Sequence, residues 1–400
     1  MIRQIQVTNY KSMMDLTFRP ARVTVLIGAN GSGKSNILEA IALASAASQD
    51  KLDNEFLISR GIRVTETRFM RSAFRERPKV PKLVISFPDD KEPKFENVRA
   101  PGREIGIAIQ GDNEVAFACE LWADETGSYP KWRQSPPIRA KELSAGLTSL
   151  DLDPNTEVTP EIFEHALARV VERLRDRPVG TLPTFLVYSP EFSALRTFQS
   201  EGQILPLGIR GEGLFAHLKA LNSENNKTRL AKIKERLQLI DWFETFEIPE
   251  DLGSGERSIR IRDRYLRPRA LFDQRSANEG FLFLLFYLTL FISPDTPSFF
   301  SIDNIDSSLN PKLCIKLVET IVTLAKEYDK QVILTTHNPA VLDGLDLDDE
   351  EQSLIVVERS KAGHTRIRPV SPIKTTSAQM EVSLSEAFMR GYIGGLPKNF

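Results

Sequence analysis

The segment with the clearest chemistry is Gly28-Ala-Asn-Gly-Ser-Gly-Lys-Ser, residues 28–35, which matches GxxxxGK[ST] between an apolar run and a helical pattern. Its glycines let successive backbone N–H groups turn inward around phosphate oxygens. Asn30, Gly31, Ser32 and Gly33 would line a triphosphate, and the Lys34 ammonium would reach its outer phosphates. The Ser35 hydroxyl would ligate Mg2+, and the helix start through Asn36 would add its positive end. A second site is expected where the buried run 298–302 ends in Asp303, a carboxylate placed to hold Mg2+ through its water shell. Asn304 follows. An amide orients a water but does not accept its proton at neutral pH, so Asn304 cannot be a general base. Asp306, two residues on, is the substitute in a different geometry.

Two further segments carry phosphate chemistry more weakly. Residues 274–280 hold Ser276, Asn278 and Gly280 directly before an apolar helix. A Ser–small–polar–Gly loop opening a helix is either a second anion site or a plain N-cap. His337 follows the apolar run 331–335, a position from which an imidazole reaches a terminal phosphate. Arg68, Arg71 and Arg75 would share a helix face among aromatics. They read either as a solvated, salt-bridged face or as a DNA-backbone contact. The arginines 257, 260, 262, 264, 267 and 269 form a second basic stretch, before the 274–280 loop.

The elements that must position these residues follow from periodicity. The runs 23–27, 184–188, 298–302 and 331–335 are continuously apolar, as in strands covered on both faces. Helices are expected over 36–47, 159–175, 213–221, 227–246, 281–291 and 311–328. The segments 82–87, 104–110 and 115–121, separated by turn formers, predict an antiparallel meander. A short strand is expected at 258–261, and a hairpin over 354–357 and 364–367. No internal repeat or long heptad region occurs.

In bulk the chain is ordinary: 400 residues, 41% hydrophobic, 26% charged, formal net charge −2. It is no polycation, which argues against bulk nucleic-acid binding but leaves room for a local basic groove. Cys119 and Cys314 stand far apart without metal-ligand spacing and read as reduced thiols of a cytoplasmic protein. The opening MIRQIQVTNYKS lacks a signal-peptide core, and the most apolar run, 281–292, is too short to cross a membrane.

Together, IRQIQVTNYKS…VTVLIGANGSGKSNILEAI, FFSIDNIDSSLNPKL, VILTTHNPAVLDGL and SLSEAFMRGYIGGLP resemble SMC-like and OLD-type ABC ATPases, in family order. The resemblance implies an α/β P-loop NTPase fold of ABC-ATPase type, with a mixed, parallel-core sheet, helices and an antiparallel β lobe. It implies ATP and Mg2+ as cofactors, with Ser35 and Asp303 as metal ligands. Lys11, with Asn9 and Tyr10, would lie near the base or ribose, and residues 189–191 near the Q-loop position. Ser276, Asn278 and Gly280 would grip the γ-phosphate held by an opposite subunit. His337 would be the switch histidine, and 307–311 the crossing loop. The assembly implied is a homodimer, or a higher homo-oligomer, closed through ATP sites. Two departures stand out. Asn304 replaces the family's usual Glu, which implies slow or switch-like hydrolysis. Residues 1–400 read as one ABC-type domain with 51–180 inserted, leaving no room for the nuclease domain of OLD proteins, and Asp346 to Glu350 as a solvated acidic turn. A lone ATPase of this kind resembles the ATPase subunits of two-component anti-phage systems, whose effector is a separate nuclease or toxin. A non-hydrolysing ATP-bound scaffold or sensor, and a repair ATPase acting on DNA ends, are the alternatives.

Overall fold

The computed structural model describes residues 1–65, 67–70, 72–74, 84–86, 94–96, 104–111, 116–123, 132–135, 182–199, 204–223, 227–253, 255–267, 269–372 and 382–396. In chain order the elements begin with β1 (Ile2–Tyr10), β2 (Met13–Phe18), β3 (Val23–Ile27), α1 (Lys34–Ser48), α2 (Asn54–Ser59) and α3 (Thr67–Met70). Next come β4 (Val84–Ser86), β5 (Lys94–Glu96), β6 (Glu104–Gly111), β7 (Ala116–Ala123), β8 (Trp132–Ser135) and β9 (Val187–Tyr188). They are followed by α4 (Phe192–Thr197), α5 (Leu214–Leu221), α6 (Lys227–Arg236), β10 (Phe243–Glu247), β11 (Arg260–Asp263) and β12 (Leu271–Phe272). The last stretch runs α7 (Glu279–Ile292), β13 (Phe299–Ile302), α8 (Pro311–Glu327), β14 (Gln331–Thr336), β15 (Gln352–Arg359), β16 (Thr365–Pro369) and α9 (Leu384–Met389).

The central sheet has the order β16-β15-β3-β14-β13-β9. Its neighbours pair in parallel from β15 to β9, and β16 closes one edge antiparallel. Strands β3, β13 and β14 are buried at every position because both faces are covered. Val23, Val25 and Ile27 face a core shared with α7 and α8, while Leu26 faces the core around α1. Helix α7 is buried from Phe281 to Ile292, and its start is capped by the Asn278 side chain accepting from Phe281 N. No helix among the described residues is long and apolar enough to cross a membrane.

A second, antiparallel sheet has the order β2-β1-β6-β7-β8. The expected meander strands at 104–110 and 115–121 therefore extend from β1, in register Ile5 with Ile109 and Val7 with Ile107, whereas the one expected at 82–87 lies outside this sheet, as β4 pairs with β5 in a separate two-stranded sheet. The first two strands of the chain lie outside the parallel core. Helix α1 is sandwiched between the two sheets, and its small residues Ala40, Ala42, Ala44, Ala46 and Ala47 are all fully buried.

Several local expectations need correction. The helix expected over 227–246 ends at Arg236, passes through a 3-10 turn at Leu237–Leu239 and gives way to β10. Phe243 and Phe246 fall within the span expected to be helical. Both are fully buried because the pairing of β10 with β11 shifts register between Phe243 and Thr245. The strand expected at 258–261 runs from Arg260 to Asp263, and the 184–188 strand pairs only at Val187–Tyr188. The helix expected over 159–175 lies outside the described residues. So do Arg71 and Arg75; α3 carries Arg68 but ends at Met70.

Candidate functional site

The loop between β3 and α1 is shaped by what surrounds it. A Cβ on Gly28 would sit 2.0 Å from the Val357 carbonyl oxygen, and one on Gly33 2.2 Å from Thr365 Oγ1. Gly33 also has φ 115°, a conformation that favours glycine. The Thr365 hydroxyl donates to the Ser32 carbonyl at 2.8 Å and lies 2.7 Å from Ser12 Oγ. Ser12 Oγ in turn accepts from Asn36 Nδ2 at 2.8 Å. Arg359 Nε donates to the Gly31 carbonyl at 2.8 Å. Strands β15 and β16 and the β1–β2 turn thus clamp the loop from one side.

On the other side, chemistry-bearing groups converge. Lys34, 5% exposed, donates from Nζ to the Gly28 carbonyl at 2.7 Å and to that of Ala29 at 3.2 Å. Burial lowers its pKa to about 8, against the opposing pull of Asp303 and Asp306. His337 Nδ1 lies 3.4 Å from Lys34 Nζ. Burial first, and then the nearby ammonium, hold the imidazole below its ordinary value, so it is neutral at pH 7. Ser35 Oγ donates to Asp303 Oδ2 at 3.2 Å, while Asp303 Oδ1 accepts from Thr335 Oγ1. Asp306 Oδ1 accepts from Thr336 Oγ1 at 2.6 Å. Two carboxylates are thus oriented by successive threonines of β14, at the ends of parallel strands where the topology opens a crevice.

Asn304 takes a left-handed backbone, φ 55°, and its backbone N–H donates to Thr335 Oγ1 at 2.9 Å. Asp303 N–H donates to the Tyr188 carbonyl at 2.8 Å, which sets residues 189–191 beside the same strand ends. Lys11 is pinned to Glu39 of α1. Tyr10, by contrast, is fully buried, so its ring is not available to stack on a base.

Residues 274–280 are not brought to this loop. Ser276 is exposed and turns back on Asp273, with its N–H 3.2 Å from Asp273 Oδ1; Asn278 caps α7; Gly280 lies against the Ser308 carbonyl and Leu309. Among the described residues, no hydrogen bond or ion pair joins 273–280 to 28–36. An open cleft of about 550 Å³ adjoins this segment, lined by Trp242, Asn278, Gly280, Ser308, Lys312 and Lys316. The starts of α7 and α8 both border it. The acidic stretch 346–350 lies at the opposite end of the sheet, near where Gln352 pairs with Val23, and Asp349 is tied to Lys326 at 2.7 Å.

Residues 1–118 match the family described as "AAA ATPase domain", and residues 209–343 the family described as "AAA domain, putative AbiEii toxin, Type IV TA system". No curated protein matches the chain. Among solved structures, an SMC head bound to the C-winged helix domain of ScpA aligns with TM-score 0.51 at 16% identity, over 93% of this chain and 98% of that one. The chain has the fold of an SMC head. The SMC head domain from Thermotoga maritima is also similar, with TM-score 0.44 at 17% identity over 92% and 99% of the two chains. So is the Pyrococcus furiosus Smc head with an extended coiled coil, bound to the C-terminal domain of ScpA, with TM-score 0.46 at 13% identity over 92% and 96%.

On this SMC-type head, reading the sequence alone misses Thr335, Thr336, Ser12, Thr365, Glu39 and Arg63. Thr335 and Thr336 lie in the segment already singled out for His337, and two successive hydroxyl donors at a strand end were a usable signal. Ser12, Thr365 and Arg63 act on the loop from other segments, and Glu39, although on α1 itself, gathers its partners from two of them, so none carries a local pattern.

Proposed function

We propose that this chain is an ATP-binding, ABC-type ATPase that closes as a homodimer, or a higher homo-oligomer, around ATP and Mg2+, and that its nucleotide state controls a separate effector. The observation that carries the reading is the convergence of Lys34, the Ser35–Asp303 pair and His337 on one clamped glycine loop. The loop amides and Lys34 would take the phosphates, and Ser35 and Asp303 would hold Mg2+. His337, neutral and next to Lys34, would hydrogen-bond the terminal phosphate. Ser276 and Asn278, exposed at the start of α7, and the half-buried Gly280 would meet the phosphate of a second copy. Asn304 can align the attacking water without taking its proton, and Asp306, held by Thr336, is the nearest carboxylate able to do so. Hydrolysis is therefore slow, and the ATP-bound state long-lived. A nuclease or toxin as effector, in anti-phage defence, is favoured by the match of 209–343 to a family described by a toxin of a toxin–antitoxin system.

The test is phosphate release by the purified chain with Mg2+. Wild type should exceed Lys34→Ala, and Asn304→Glu should raise the rate further by supplying a general base, about 10²-fold or more. Release no faster than Lys34→Ala, with ATP still bound, would leave the non-hydrolysing scaffold as the function. One observation favours a second reading, contact with DNA ends. Arg264, Tyr265, Leu266, Arg267 and Arg269 are all exposed between β11 and β12, next to the 273–280 loop. Salt-dependent DNA binding lost on Arg267→Glu and Arg269→Glu would support it.

A further inference from the structure

A buried carboxylate sits one turn beyond Ser35 on α1, and the phosphate chemistry above does not use it. Glu39 is 2% exposed, and each of its oxygens serves a cation from a different segment. Oε2 accepts from Lys11 Nζ, in the β1–β2 turn. Oε1 accepts from Arg63 Nε, in the loop after α2, and lies 3.4 Å from the Arg63 backbone N. Arg63 Nη2 also donates to Asn36 Oδ1 at 3.3 Å, and Lys11 Nζ lies 5.4 Å from the Tyr10 ring centre. Ser35 and Glu39 are four residues apart and share a helix face. Through Asn36, which directly follows Ser35, the Arg63 guanidinium is tied to the start of α1 beside the glycine loop.

The energetics explain why such a group is kept. A lone buried carboxylate costs several kcal/mol, and its two cations offset that cost. The benefit goes to Arg63, whose side chain is 66% exposed and would otherwise sample many rotamers. Held by Glu39 and Asn36, it has already lost that freedom before any ligand arrives.

We propose that Glu39 is a positioning residue for the triphosphate, fixing Arg63 beside the phosphate loop so that the outer phosphate meets it as a second cation next to Lys34. The proposal rests on the nucleotide reading above.

The experiment is calorimetric titration of the full chain with ATP and with ADP, for wild type, Glu39→Gln, Arg63→Ala and the double variant. Arg63→Ala and Glu39→Gln should each weaken ATP binding about tenfold, and ADP binding by no more than about threefold. The double variant should be no weaker than Arg63→Ala, because Glu39 acts through Arg63. Arg63→Lys should match Glu39→Gln, since an ammonium cannot span Glu39 and Asn36 together. If Glu39→Gln fails to fold in a thermal melt, Arg63→Lys carries the same comparison. A wild-type ATP-to-ADP ratio in Glu39→Gln, with the ratio lowered in Arg63→Ala, overturns the proposal and leaves the nucleotide reading standing. Equal loss of both nucleotides overturns it too, marking Glu39 as a clamp on the fold. A wild-type chain that binds neither nucleotide sinks both.

Discussion

The two regions proposed to face phosphate are built in opposite ways. The loop at 28–36 is finished within one chain: Ser32 and Lys34 are buried, Thr365 fills the space beside Gly33, and Asp303 is held by both Ser35 and Thr335. The segment at 273–280 is a surface. Ser276, Asn278 and Glu279 are exposed, and their bonds are to near neighbours or to Ser308 of the next loop. A preformed half binds without reorganising, whereas an exposed half gains its partners only when a second surface arrives. Binding and assembly should therefore be separable by mutation.

The largest effect is expected at Lys34. Lys34→Met should weaken ATP binding about a hundredfold or more, read by calorimetry. The ligand-free protein should melt no lower than wild type, because a buried ammonium whose pKa falls to about 8 costs free energy at pH 7. A large fall in the melting temperature would show that Lys34 supports the empty loop, against the comparison. Next comes Ser276→Arg. It should leave the ATP affinity of a single chain within about twofold while abolishing ATP-dependent self-association in sedimentation. Loss of ATP binding by the single chain would erase the distinction between the halves.

Thr365→Val should have a smaller effect. It strips a hydroxyl from the Ser32 carbonyl and from Ser12, at about 1–3 kcal/mol of stability. ATP affinity should fall several-fold with it, which would confirm that the loop is held by β16 and not by its own sequence. The smallest effect is that of pH. His337 is held below its ordinary value, so its contribution is complete above about pH 6.5 and shrinks as pH falls through the lowered value. Below about pH 6, the ligand-free melting temperature should drop more in wild type than in His337→Gln. Equal drops would show that the lowered His337 value contributes nothing to stability.

Much of this was legible before any coordinates. The glycine loop, Asp303 and His337 were each marked by a buried strand followed by a polar residue, and all three strands lie in one parallel sheet. What misled was spacing read without pairing. Phe243 and Phe246 lay in the span expected to be helical, yet a register shift in an edge hairpin turns both inward. Pairing of β1 with β6 spans more than ninety intervening residues and has no local signal.

By itself the sequence determined the glycine loop, the order of the motif segments along the chain and the identity of Asn304. Each is carried by a few contiguous residues whose backbone preferences and side-chain chemistry act locally. Tertiary structure alone decided that Thr365 completes the loop, that Glu39 gathers Lys11 and Arg63, and that 273–280 faces outward. Those facts depend on which distant segments share a buried space, and close packing of two sheets around α1 is what selects them.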